Sequence, residues 1–231
     1  MNGVLGLGFL QAEKEQLGIE TLGDESFICS HDAWRGFPRV LVCMERLNAL
    51  PAVAQQGALR HEGAHTALHS GLAYYIVRIP QDCVELARAK GMHLVQLQQV
   101  LYYCATAVKD FEATGLLLNR GYDECQLAFA KFHFVSSDED RLAWLLAKGN
   151  PLGRLLFFAG QLKVLLLGWP LETAGLLQID SCADSMLGYL EPGEQKRLLG
   201  LARSIAEQLG NDTHHNIRLT LRLVLKELFP G

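Results

Sequence analysis

The 231-residue chain lacks any strong charge bias, with 21 lysines and arginines against 25 aspartates and glutamates. Its net charge of −4, without a basic run, leaves no electrostatic footprint for nucleic acid or anionic membranes. It contains no G-x-S-x-G and no P-loop. The "GLGFL" near its start has neither the spacing nor the following unit of a dinucleotide fingerprint. No C-x-x-C pair occurs among Cys29, Cys43, Cys83, Cys104, Cys125 and Cys182. These cysteines lie in apolar segments, which points to reduced thiols packed as small hydrophobes and to a cytoplasmic protein. A long uninterrupted apolar run is also missing. The nearest, "LLFFAGQLKVLLLGW" between Arg154 and Pro170, contains Gln161 and Lys163 and is short for a membrane span. A buried core helix is expected there, and no membrane partner. The N-terminus has no positive start and no clear small-residue cleavage site, so it reads as part of the mature protein.

What is present is a chain 49% hydrophobic, enough for an ordinary core. "SFICSH" (26–31) and "PRVLVCM" (38–44) have strand character, with "WRGFP" as a turn between them. From Pro51 the pattern becomes helical. One helix is expected from Pro51 to a glycine stop at Gly71, and a short one over "VELARAKG" closed by Gly91. A long one is expected over 94–121, ended by Gly121. Ser137 opens a capping box with "SDED", and "GNP", "GWP", "EPG" and "GNDT" punctuate the rest of the chain. The expected fold is α+β, predominantly α-helical, with a small N-terminal sheet and a helical C-terminal half. A metal-binding region (1–150) and a helical region (151–231) would together make one compact domain.

The chemistry concentrates in "ALRHEGAHTALHSG", residues 58–71. His61, Glu62 and His65 form H-E-x-x-H inside a helical pattern. Residues four apart share a helix face, displaced about 6 Å along the axis. Two imidazoles so placed can converge on one tetrahedral zinc, with the glutamate beside them to handle a water proton.

"LRHEGAHTALH", with its apolar lead-in "GALR", resembles the active-site helix of the zincin metallopeptidases. The likeness covers one helix, about a tenth of the chain. It implies a zincin-like core, a zinc ion, Glu62 as general base, and hydrolysis of a bond in a peptide or protein substrate. The strand "RVLVCM" then stands where zincins often keep a substrate-aligning edge strand. The metzincin pattern places a third histidine six residues after the second, and here that position is Gly71. The remaining type, the gluzincin, takes a glutamate from a later helix.

Glu112, in "AVKDFEATGLLL", is the favoured third ligand. It shares a helix face with Leu101, Ala105 and Val108, and a buried carboxylate needs a partner. Asp110 on the same helix is an alternative, as ligand or as a partner orienting a histidine. So is Glu85, which follows His65 at the thermolysin-like spacing but sits among charged residues. Thermolysin-like enzymes also carry an aspartate four residues after that glutamate; here Leu116 or Ala89 stands there. His69 lies about 12 Å along a straight helix from His61, too far to share one metal with it, and reads as a packed residue or as one lining the surroundings of the metal. Tyr74, Tyr75, Tyr102, Tyr103 and His133 are candidates for stabilising an oxyanion. Glu62 and His65 also fit half of a di-iron site, but no second E-x-x-H occurs, and Asp212-x-x-His215 reads as a helix cap. The other class of function is a non-catalytic, zinc-binding scaffold or regulatory protein on the same fold. The intact Glu62 speaks against it, because a structural site needs no base.

Overall fold

A computed structural model describes residues 27–33 and 35–229. The readings of the N-terminal segment and of "GLGFL" fall outside these residues. Within them the chain forms two strands, β1 (Cys29–Asp32) and β2 (Arg39–Val42), followed by helices. These are α1 (Met44–Asn48), α2 (Ala52–Leu68), α3 (Gln81–Ala89), α4 (Leu94–Leu118), α5 (Asp123–His133) and α6 (Asp138–Ala147). After them come α7 (Pro151–Thr173), α8 (Ile179–Leu187), α9 (Pro192–Ala206) and α10 (Thr213–Leu228). A 3-10 turn, Leu72–Tyr75, lies between α2 and α3. The molecule is thus mostly helical with a small sheet.

The strands pair antiparallel, with Cys29 opposite Val42 and Asp32 opposite Arg39. The turn joining them needs Gly36, whose φ of +84° disfavours any other residue. Buried Asp32 accepts from Nε and Nη2 of Arg39, both at 2.9 Å, a two-point clamp across the ends of the strands. β1 lies against α2 and so brings His31 to the helix that carries the histidine motif.

Pro51 precedes α2 as expected, but the helix stops at Leu68, short of Gly71. His69 leaves the helical region (φ −125°, ψ 38°), and its ring turns inward to polar partners rather than continuing the spiral. Downstream, the caps agree closely with the sequence. Ser137 and Asp140 form the capping box of α6. The Asn150 side chain accepts from the amides of Leu152 and Gly153 ahead of Pro151. Asp212 accepts from the amide of His215.

α7 departs from expectation at "GWP". It runs through Pro170 to Thr173. The proline cannot donate to the Leu166 carbonyl and its ring crowds that oxygen, so the ladder is interrupted there and the helix ends within one turn. Gly168 is there for packing: a Cβ at that position would lie 2.6 Å from Cζ of Phe134. By length and composition α7 could cross a membrane. Here Leu155, Phe158, Leu162, Leu165, Leu166 and Leu171 bury it along α4 and its neighbours. Most buried apolar residues from Leu47 to Phe229, on both sides of position 150, form one continuous core, with Ala64, Ala113 and Leu117 as a second, small cluster.

A close helix contact at a glycine sets the position of the histidine motif. α2 crosses α5 at Gly57, where a Cβ would stand 2.2 Å from the Cys125 carbonyl oxygen and 2.7 Å from Cβ of Phe129. The Gly57 carbonyl in turn accepts from Nε2 of Gln126, at 2.9 Å. Gly57→Ala is expected to cost about 3 kcal/mol, the upper end for overpacking. Denaturant unfolding should show it as a lower midpoint, and metal affinity should fall in the same variant because His61 lies one turn on.

Candidate metal centre

Three buried side chains from two helices meet at one point. Nε2 of His65 lies 3.1 Å from Oδ1 of Asp110, and Nε2 of His61 lies 3.5 Å from the same oxygen. All three residues are less than a tenth exposed. Two ligand atoms of one tetrahedral zinc are about 3.3 Å apart, given bonds near 2.0–2.1 Å, and the two separations fall on either side of that. Asp110 comes from α4, which crosses beneath α2 at this level.

The hydrogen bonds around the cluster decide where the imidazole protons lie. Nε2 of Gln126 donates to Gly57, so its Oε1 faces Nδ1 of His61, at 3.3 Å. That nitrogen must donate, which leaves Nε2 of a neutral His61 as a lone pair. Among the described residues it has no hydrogen-bond partner. A longer chain fixes His65. Glu112 accepts through Oε2 from Nε2 of His69 (2.9 Å) and from Thr213 (2.8 Å), and through Oε1 from Asn216 (2.9 Å). Nδ1 of neutral His69 is then an acceptor, and it faces Nδ1 of His65 at 3.3 Å. His65 donates there, so its Nε2 is also a lone pair. Two imidazole lone pairs and a carboxylate oxygen therefore confront one another in a buried space. Only a cation, or a proton in its place, relieves that arrangement.

The acid–base properties agree. Burial would lower the pKa of His61, but the carboxylate of Asp110 facing its ring, with the charge of Glu62, outweighs it and raises it. His65 is pushed down to about 3 by burial and by the positive charge of His61, against the pull of Asp110. Burial would raise the Asp110 carboxyl, yet Lys163 and the two histidines hold it well below the usual carboxylate range. Oδ2 of Asp110, the oxygen turned away from the histidines, lies 3.9 Å from Nζ of Lys163.

The remaining predicted residues take other places. Glu112 does not join His61 and His65; it anchors His69 and, through Thr213 and Asn216, the start of α10. Glu85 stands on the exposed side of α3, bonded to Gln81. Tyr74 packs between His69 and His214. The Tyr75 hydroxyl is buried without a partner among the described residues, and burial together with Asp32 and Glu62 raises its pKa to about 12. Lys109 holds its ammonium 4.3 Å over the Tyr75 ring, with its pKa lowered to about 8 by burial. Tyr102 is half exposed and packs on Tyr103.

Two functional neighbours are not legible as such in the sequence. His31, from β1, stacks on His65 with ring centroids 4.1 Å apart and bonds through Nδ1 to Oε2 of Glu62 at 2.8 Å. With Glu62 and His65 it makes a second possible ligand grouping, but the 2.8 Å bond already pairs two of its members. Lys163 is visible only as a charge inside an apolar stretch. A lone lysine in such a helix is the signal that could have marked it.

His61, Glu62 and Asp110 line one end of a cavity of about 500 Å³, with His133 and Lys163 beside them and Phe129 and Phe132 as walls. Burial, and secondarily the charge of Lys163, lowers His133 to about 4, so its ring is neutral near pH 7. No protein family, no curated protein and no solved structure matches this chain.

The arrangement predicts which changes remove metal. Untagged wild type should hold about one zinc per chain by elemental analysis, and His61→Ala and Asp110→Asn should hold none. Glu112→Gln should keep the stoichiometry and bind about 10–100-fold more weakly, the usual cost of losing a partner behind a ligating histidine. Because the pKa of His61 is raised, its proton competes with the ion in acid. Affinity should rise about tenfold per pH unit until that proton is lost, then level off. A flat profile in a competition titration would contradict this.

Proposed function

We propose that the protein is a zinc-dependent hydrolase of metallopeptidase type, built on a zincin-like core, with His61, His65 and Asp110 holding the metal. The observation that carries the reading is the unpartnered Nε2 of His61 facing the Asp110 carboxylate beside the Nε2 of His65. A structural zinc site closes with four protein ligands. Here the fourth side is the cavity that Glu62 and His133 also line.

Bound zinc would supply a Lewis acid that polarises the substrate carbonyl and lowers the pKa of the attacking water. Glu62 is suited to the proton work. Burial would raise its pKa, but the bond from His31 and the neighbouring imidazoles outweigh this and keep it lowered, so it is ionised near pH 7. It accepts a proton from water as the oxygen bonds to the carbonyl carbon, and returns it to the amine nitrogen as the C–N bond breaks. His31 donates to Oε2 of Glu62 and fixes the carboxylate's orientation. Among the five oxyanion candidates, His133 is the one lining the cavity. It is held edge-on against Phe129 and Phe132, with a neutral ring able to donate toward a carbonyl oxygen.

Glu62→Gln should retain zinc and lose hydrolysis of a peptide library by about 10²–10⁴-fold, as expected for removal of a general base. If the variant holds zinc and cleaves as fast as wild type, Glu62 is not the base; if zinc-loaded wild type itself cleaves nothing, the enzymatic reading falls and the scaffold reading replaces it.

A further inference from the structure

The cavity beside the candidate centre has an uneven charge balance, and this bears on what enters it. Its ionisable lining groups are Arg46, Glu62, Asp110 and Lys163, together with His61 and His133 and the thiol of Cys29. His133 is neutral, and burial holds the Cys29 thiol protonated, with its pKa raised to about 11. Without a metal, two carboxylates balance two cations. A divalent ion ligated by neutral His61 and His65 adds two positive charges. Asp110 is then shared with the ion, and Lys163, whose one ion pair among the described residues is the 3.9 Å contact to Asp110, loses its counter-charge. Arg46 makes no ion pair among the described residues. Behind the wall, Lys109 and Glu112 are both near the centre and offset each other. The loaded cavity therefore carries about two unmatched positive charges.

The rest of the lining is apolar: Phe27, Leu50, Phe129, Phe132, Val164 and Leu167. Its volume of about 500 Å³ lies within the range of small-molecule pockets. An apolar pocket with cations on its lining fits a short apolar group that ends in a negative charge.

We propose that this cavity binds the last residue of a peptide, an apolar amino acid with a free α-carboxylate held by Lys163 and Arg46. The inference rests on the zinc-hydrolase reading and narrows it to an enzyme acting at the C-terminal end of a chain. Lys163 and Arg46 are then specificity-determining residues, and neither ligates the metal.

The test compares N-acetyl-L-phenylalanine with its C-terminal amide, which differs only in the charge. Binding to zinc-loaded protein is measured by calorimetry for wild type, Lys163→Met and Arg46→Met, with zinc content determined for each. The acid should bind wild type about 10–100-fold more tightly than the amide, the usual range for a hydrogen bond to a charged group. Arg46→Met should keep its zinc, lose most of that preference and leave amide binding unchanged; Lys163→Met, which also removes the counter-charge of Asp110, is compared at saturating zinc and should likewise lose the preference for the acid. Equal binding of acid and amide to zinc-loaded wild type would overturn the carboxylate site while leaving the metal centre standing. Preference that survives both substitutions would overturn the assignment to Lys163 and Arg46. A wild type that takes up no zinc would remove the centre, and this inference with it.

Discussion

Two imidazole lone pairs and a carboxylate oxygen directed at one another within 3.1–3.5 Å would repel in any solvent, and more so in a buried site. The arrangement persists because each group is held from behind. Gln126 fixes the proton of His61, and the His69–Glu112 chain fixes that of His65. Lys163 faces the outer oxygen of Asp110. These partners make the cation-seeking state the one the fold favours. A proton on His61 can satisfy it partly, and a divalent ion fully.

The helices exist in the positions that this convergence needs. The absent side chain at Gly57 lets α2 approach α5 closely enough for Gln126 to reach both the Gly57 carbonyl and the His61 ring. α7 packs along α4 and so sets the rotation that turns Asp110 toward α2. The start of α10 adds Thr213 and Asn216 as donors to Glu112, tying the last helix of the chain to the histidine chain behind the site. Apolar burial supplies the stability. The polar chain supplies the register, since few rotations of α4 satisfy all of these bonds at once.

Much of this could be read from residue order. The hairpin, the caps at Ser137, Asn150 and Asp212, and the turns at Gly91 and Gly121 arise from local chemistry. So does the pairing of His61 with His65, because helical spacing alone puts them on one face. The third corner could not be read the same way. Asp110 and Glu112 lie two residues apart, about 200° round the helix, on either side of Phe111. Periodicity says that each is near the core. Only the packing of α4 against α2, α7 and α10 says that Asp110 meets the histidines while Glu112 meets His69. His31 was beyond reach for a similar reason: it precedes Glu62 by 31 positions and arrives through strand pairing. His69 shows another case, where a break in the helix turns its ring to Glu112 and His65 and gives it a hydrogen-bonding role that helical spacing does not announce.

The most direct test of the centre is a crystal of zinc-treated protein measured on both sides of the zinc absorption edge. The account predicts one strong anomalous peak about 2.0–2.1 Å from Nε2 of His61, Nε2 of His65 and an oxygen of Asp110, with the remaining side open to the cavity. A peak held instead by His31, Glu62 and His65, or none beside His61 and Asp110, would contradict it.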